Sequence, residues 1–227
     1  MNNLYFDTET FCAVPIQDGT HRYAEHPTTE ITVAQWAVDD GEPVVEDLTG
    51  RKRPSAESLK LLNDPDVTLV FHNSFFDRTL LRHVWGIDVP VERWRDTMVQ
   101  AYAHALPGSL DKLGEVLRMD EDQRKHRRGR YLVLLFCKPT KTGARNTRAT
   151  HPDEWLEFVR YAAGDIVTMR EAHRKMPMWN YREREAANKA RWAKPGQASG
   201  VSGASNDNIT NDPRVECFKK AVSGALE

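Results

Sequence analysis

The 227-residue chain predicts an α/β fold in which a meander of strands opens a mixed sheet and helices flank it. Three observations carry that expectation. A short apolar and aromatic run at residues 4–9 ends in acids, as a buried strand opening into a site does. Two further runs, 31–38 and 43–48, are separated by Asp39-Asp40-Gly41-Glu42, a good hairpin turn. Helical and strand periodicities then alternate from residue 55 onward.

Residues 55–62 read as a short helix capped by Ser55, and 67–71 as an interior strand of β-branched and apolar residues. From residue 74 to 84 the period lengthens to helical, with Phe75, Leu80, Leu81 and Val84 available for packing and Asn73 placed to cap. Meander, helix, strand, helix matches the opening of a ribonuclease H-like fold. Helices follow at 97–105, with Asp96 as cap, and at 109–117, broken by Pro107-Gly108. The strongest helix is 152–175: a proline near its start, Asp153 and Glu154 in the first turn, and Trp155, Phe158, Val159 and Ala162 on an apolar stripe. After Trp179-Asn180-Tyr181 the composition shifts. Residues 195–212 are rich in Gly, Ser, Asn and Asp and cannot bury enough apolar surface to offset their ordering entropy. The expected organisation is a domain over 1–181 and a flexible tail over 182–227, with a short helix at 218–226.

The formal charge of −1 excludes bulk attraction to polyanions as the driver of binding, so any grip on nucleic acid must be local. Cys12, Cys137 and Cys217 lie far apart with no CxxC pair, which argues against a disulfide framework or zinc knuckle. No stretch approaches the roughly 18 apolar residues of a membrane span. The expected location is the cytoplasm, with no membrane partner. One segment is strongly asymmetric: Arg124, Lys125, Arg127, Arg128, Arg130, Lys138, Lys141, Arg145 and Arg148 occur with no acid among them. It reads as a strand-binding surface.

The residues that carry chemistry are scattered. Asp7 and Glu9 are two apart on a strand and project from one face, while Phe6 and Thr8 face the other way. Tyr161 and Asp165 are four apart on a helix and share a face. Asp77 lies early in the helix after the fourth strand. A carboxylate cluster of this kind repels itself unless hard cations occupy it, and a donor set of oxygen alone favours Mg²⁺ or Mn²⁺ over zinc. Such ions, about 3.5–4 Å apart, cleave phosphodiesters.

Phe6-Asp7-Thr8-Glu9-Thr10, His72-Asn73-Ser74-Phe75-Phe76-Asp77 and Tyr161-Ala162-Ala163-Gly164-Asp165 resemble the three exonuclease motifs of the DEDD superfamily, tyrosine subclass. The nearest likeness is to the proofreading domain of bacterial and phage family A DNA polymerases. The resemblance implies that Asp7, Glu9, Asp77 and Asp165 hold two divalent cations, Mg²⁺ or Mn²⁺, and that Tyr161 positions the nucleophile. It also implies that Thr8, Thr10, Asn73 and Phe76 meet the terminal nucleotide, to which Arg127, Arg128 and Arg130 of the basic segment are added. The implied activity is 3′-5′ hydrolysis of a single-stranded or frayed DNA end to nucleoside 5′-monophosphates. A polymerase or other replication protein is the implied partner, in a bacterial host's cytoplasm if the chain is phage-encoded. Two rivals share the fold: a ribonuclease D-like RNA exonuclease and a non-catalytic nucleic-acid or replisome interaction module. His72, His151, Phe136, Trp155 and Cys137 are expected to be structural.

Overall fold

The computed structural model describes residues 2–119 and 128–177. Arg127, Trp179-Asn180-Tyr181, the tail over 182–227 and its short helix lie outside the described residues. The chain divides into a compact unit, Met1–His173, and a second, Arg174–Glu227; the fold below is that of the first.

Five strands make one sheet in the order β3-β2-β1-β4-β5. β1 (Asn2–Phe11) and β2 (Glu30–Val38) pair antiparallel, as do β2 and β3 (Val44–Asp47), which gives the expected meander. β4 (Val67–Phe71) and β5 (Trp94–Asp96) run parallel to β1, which makes the sheet mixed and its arrangement ribonuclease H-like. The sheet is sandwiched because the alternation along β1 serves two cores. Leu4 and Phe6 enter a core with Leu62, Leu80, Leu81 and Trp85, beneath α1 (Thr20–Glu25), α2 (Ala56–Asn63) and α3 (Ser74–Leu80). On the opposite face Val33 packs with Leu132 and Phe136 of α6 (Gly129–Phe136) and with Trp155, Phe158 and Tyr161 of α7 (Pro152–Lys175). α4 (Thr97–Ala103) and α5 (Leu110–Val116) complete the described α-helices. No helix among the described residues is long and apolar enough to cross a membrane.

Several expectations are corrected. Asn73 stands at the start of α3 but its side chain caps nothing; the residue is left-handed, φ 66°, a conformation Asn tolerates better than most. The acceptor is Asp96, whose carboxylate takes the N–H groups of Asn73 (3.1 Å) and Ser74 (2.7 Å) as well as those of Met98 (2.8 Å) and Val99 (3.2 Å). One aspartate thus satisfies the N-termini of both α3 and α4 and ties them together. The helix expected over 74–84 is α3 followed by a wide turn, Leu81–Trp85, in the π conformation, which closes on left-handed Gly86. Phe75, expected to pack, is 55% exposed. α1, β5 and α6 were not foreseen, and the basic segment contains one of them. Three of its described arginines make ion pairs, Arg128 with Glu157 (2.6 Å), Arg145 with Glu30 (2.6 Å) and Arg148 with Asp47 (3.0 Å), and Arg128 and Arg148 stay more than half exposed.

Candidate active site

The site forms where β1 ends. Asp7 and Glu9 point to the α6/α7 side, and Asp165 comes down from α7 to meet them: one carboxylate oxygen from each lies within 4.8 Å of the others. The register explains how the strand residues are held. Gln35 sits directly opposite Asp7 on β2 and donates from Nε2 to Asp7 Oδ2 at 2.7 Å. The pairing then slips between Glu9 and Thr10, a β-bulge that re-aims the strand end, and the Thr32 hydroxyl donates to the Glu9 carbonyl oxygen at 3.0 Å. The Cys137 thiol donates to Glu9 Oε2 at 3.7 Å; burial, then the Glu9 charge, push that thiol well above its ordinary value, so it is no nucleophile.

Asp77 approaches from the other side of the sheet. It is 2% exposed, and the Thr8 hydroxyl donates to its Oδ1 at 2.7 Å. Because Thr8 lies between Asp7 and Glu9 and faces the α3 layer, it joins the two halves of the site. Burial, and then the Asp7 charge, push the Asp77 carboxyl well above the usual carboxylate range. Oxygen donors converging this closely fit a hard divalent cation.

Tyr161, one turn before Asp165 on α7, bonds its phenol to that carboxylate; burial, Asp165 and Glu9 push the phenol far above its ordinary value and keep it protonated. Its ring stacks on Phe158 at 6.3 Å and 12°, and Gly129, the first residue of α6, comes so close that no side chain would fit between. Over the acids opens a cavity of about 380 Å³ lined by Asp7, Glu9, Asn73, Tyr161 and Asp165. A neighbouring cavity of about 350 Å³ shares Thr8, Glu9 and Val133 and is walled by Tyr23, Phe76 and Lys138.

Asp7, Thr8, Glu9, Asn73, Tyr161 and Asp165 therefore line one opening, while Thr10 and Phe76 line the second. The hydroxyls of Thr8 and Thr10 are spent inside the fold, the latter on the Tyr23 hydroxyl at 2.8 Å. Arg128 is held by Glu157 and lies over the Tyr131 ring at 5.1 Å; Arg130 is exposed on α6. His72 is satisfied by Thr97 and the Gly108 carbonyl, both at 2.8 Å, and Phe136 and Trp155 are core. Gln35 and Gly129 escaped the sequence reading. A glutamine in the apolar run of β2 was the signal for the first; the second left none.

Residues 2–177 match the family model described as 3′-5′ exonuclease. A DNA polymerase of Bacillus phage SP02 is 31% identical over 173 residues, 73% of this chain and 26% of the polymerase, so the chain spans about a quarter of that relative's length. Among solved structures, Brucella melitensis NrnC with bound Mg²⁺ aligns with a TM-score of 0.48 at 17% identity, covering 97% of this chain and 82% of that one. A second structure of NrnC gives 0.49 at 16% identity with the same coverage.

Proposed function

Because this chain belongs to the 3′-5′ exonuclease family of the DEDD superfamily, related to polymerase proofreading domains, we propose that it trims single-stranded or frayed DNA 3′ ends to nucleoside 5′-monophosphates, with Asp7, Glu9, Asp77, Tyr161 and Asp165 as its working residues. The observation that carries the proposal is the convergence of Asp7, Glu9 and Asp165 within 4.8 Å beneath an open cavity, with Asp77 joined to them through Thr8.

Four carboxylates of this kind would hold two divalent cations, which supply a neutralised phosphate, an acidified water and a stabilised leaving oxygen. Each protein group then has a distinct task. Gln35 fixes one oxygen of Asp7 and so the aim of its carboxylate. The bulge and Cys137 orient Glu9. Tyr161, kept protonated by burial and by Asp165, to whose carboxylate its hydroxyl donates, orients the attacking water through its phenol oxygen and is not the base that removes the water's proton. Asn73 reaches the terminal nucleotide in the first cavity, and Phe76 walls the second. Arg130, exposed on α6, meets the strand's phosphates, whereas Arg128 must first leave Glu157. Frayed ends suit the site because unpairing costs least at a mismatch. DNA is favoured over RNA by the likeness to a DNA polymerase, and a polymerase is the partner such trimming serves.

The test offers 5′-labelled single-stranded DNA, 3′-mismatched duplex and matched RNA to the protein with Mg²⁺, with chelator and with Asp165→Ala. A ladder shortening from the 3′ end only for intact protein with metal is expected. Equal turnover of RNA would overturn the DNA assignment, and activity surviving in Asp165→Ala would overturn the site.

A further inference from the structure

On the opposite face of the molecule from α7, α1 carries His21 and Glu25 one turn apart, and the wide turn Leu81–Trp85 presents His83 to them. One donor atom from each of the three lies within 4.8 Å of the others, and all three residues are exposed. We propose that His21, Glu25 and His83 form a second cation site, distinct from the carboxylate cluster and suited to a borderline-soft ion, Zn²⁺ above all. Two imidazoles and one carboxylate are a zinc donor set with a fourth position left for water, whereas Mg²⁺ and Mn²⁺ prefer oxygen alone.

Local geometry favours this over a chance surface cluster. The i, i+4 spacing stacks His21 and Glu25 on one face of α1. The π winding of Leu81–Trp85 keeps Leu81 and Trp85 buried while His83 faces out, with its ring edge-on to that of His21 at 6.1 Å between centroids. The flanking arginines turn to other acids, Arg22 to Asp18 at 3.4 Å and Arg82 to Asp88 at 3.8 Å. Glu25 is left facing His83 at 3.7 Å, too long for a hydrogen bond and open to an ion between them. A tetrahedral ion with bonds of about 2.0–2.2 Å needs donors roughly 3.3 Å apart, within the rotamer freedom of exposed side chains.

The site would clamp two elements that frame the chemistry. α1 carries Tyr23, which bonds Thr10 and lies 5.7 Å from the Phe76 ring, and Phe76 precedes Asp77 on α3. The test is calorimetric titration of the full chain with Zn²⁺ in saturating Mg²⁺, repeated on His21→Ala, His83→Ala and Asp165→Asn, with Co²⁺ absorption as a report of tetrahedral nitrogen ligation. The intact protein and Asp165→Asn should share a Zn²⁺-binding step whose affinity drops by roughly a hundredfold or more in each histidine variant. Zn²⁺ at about a hundred times Kd should raise Tm by roughly 5–10 °C in the intact protein and not in His83→Ala. Undiminished uptake in either histidine variant, or loss of the step in Asp165→Asn, would overturn the three-ligand site.

Discussion

Gly129→Ala tests how finely the position of Tyr161 is set. A methyl carbon on Gly129 would lie 2.8 and 2.9 Å from Cδ2 and Cζ of Tyr161 and closer still to Cε2, where ordinary carbon contacts begin near about 3.5 Å. The ring is 2% exposed, stacked on Phe158 and bonded to Asp165, so it cannot yield without breaking one of these. A displacement of about 1 Å at a positioned group costs on the order of a hundredfold in rate. The strain itself costs about 1–3 kcal/mol, which outweighs the helix propensity gained over glycine, at most about 1 kcal/mol. Single-turnover cleavage of a labelled oligonucleotide should therefore slow by 10- to 100-fold, with Mn²⁺ affinity unchanged by calorimetry. The decisive arm is Tyr161→Phe, which keeps the ring and removes the hydroxyl. If Gly129 acts by placing that hydroxyl, Gly129→Ala adds little further loss of rate in the Tyr161→Phe background. An undiminished rate in Gly129→Ala, or full additivity with Tyr161→Phe, would refute the reasoning.

Gln35→Leu removes the donor that orients Asp7 and should weaken Mn²⁺ binding by about 10- to 100-fold while the fold persists, as calorimetry and circular dichroism would show. Asp77→Asn should abolish cleavage yet stabilise the metal-free protein. The folded carboxyl titrates above its unfolded value, so its ionisation destabilises the fold increasingly as pH rises past about 4; melting in chelator should favour the variant at pH 7 and equalise in acid. Asp47→Asn should do the reverse. Burial pushes the Asp47 carboxyl up, but Thr49, Trp155 and Arg148 together pull it below the ordinary value. Its stabilisation is complete above the unfolded value and is lost as pH falls through the folded one. Solvent screens these contacts, so the variant should lose only about 0.5–1 kcal/mol in urea unfolding at pH 7 and approach the parent protein in acid.

What the sequence by itself determined about this protein was whatever a local period can encode. Period two put Asp7 and Glu9 on one face of β1, and period 3.6 put Tyr161 and Asp165 on one face of α7, so the donor chemistry was readable before any fold was known. The antiparallel meander followed from a hairpin turn and its flanking runs, all within a short stretch of chain. The tertiary structure alone decided which groups hold those acids, since register and bulge depend on residues distant in sequence. Gln35 faces Asp7 because β2 pairs with β1 in one register, and Asp77 reaches the cluster through Thr8 from the opposite layer. β5 has three residues and exists only by pairing with β4; α1 is six residues long, too short to announce itself. α6 lay hidden because 131–136 is an apolar run that suits a strand as well as a helix until a core selects Leu132 and Phe136. How the charge of the basic segment is disposed depended on the same thing, since the fold decides which acids stand beside each arginine, and Glu30, Asp47 and Glu157 come from elsewhere in the chain.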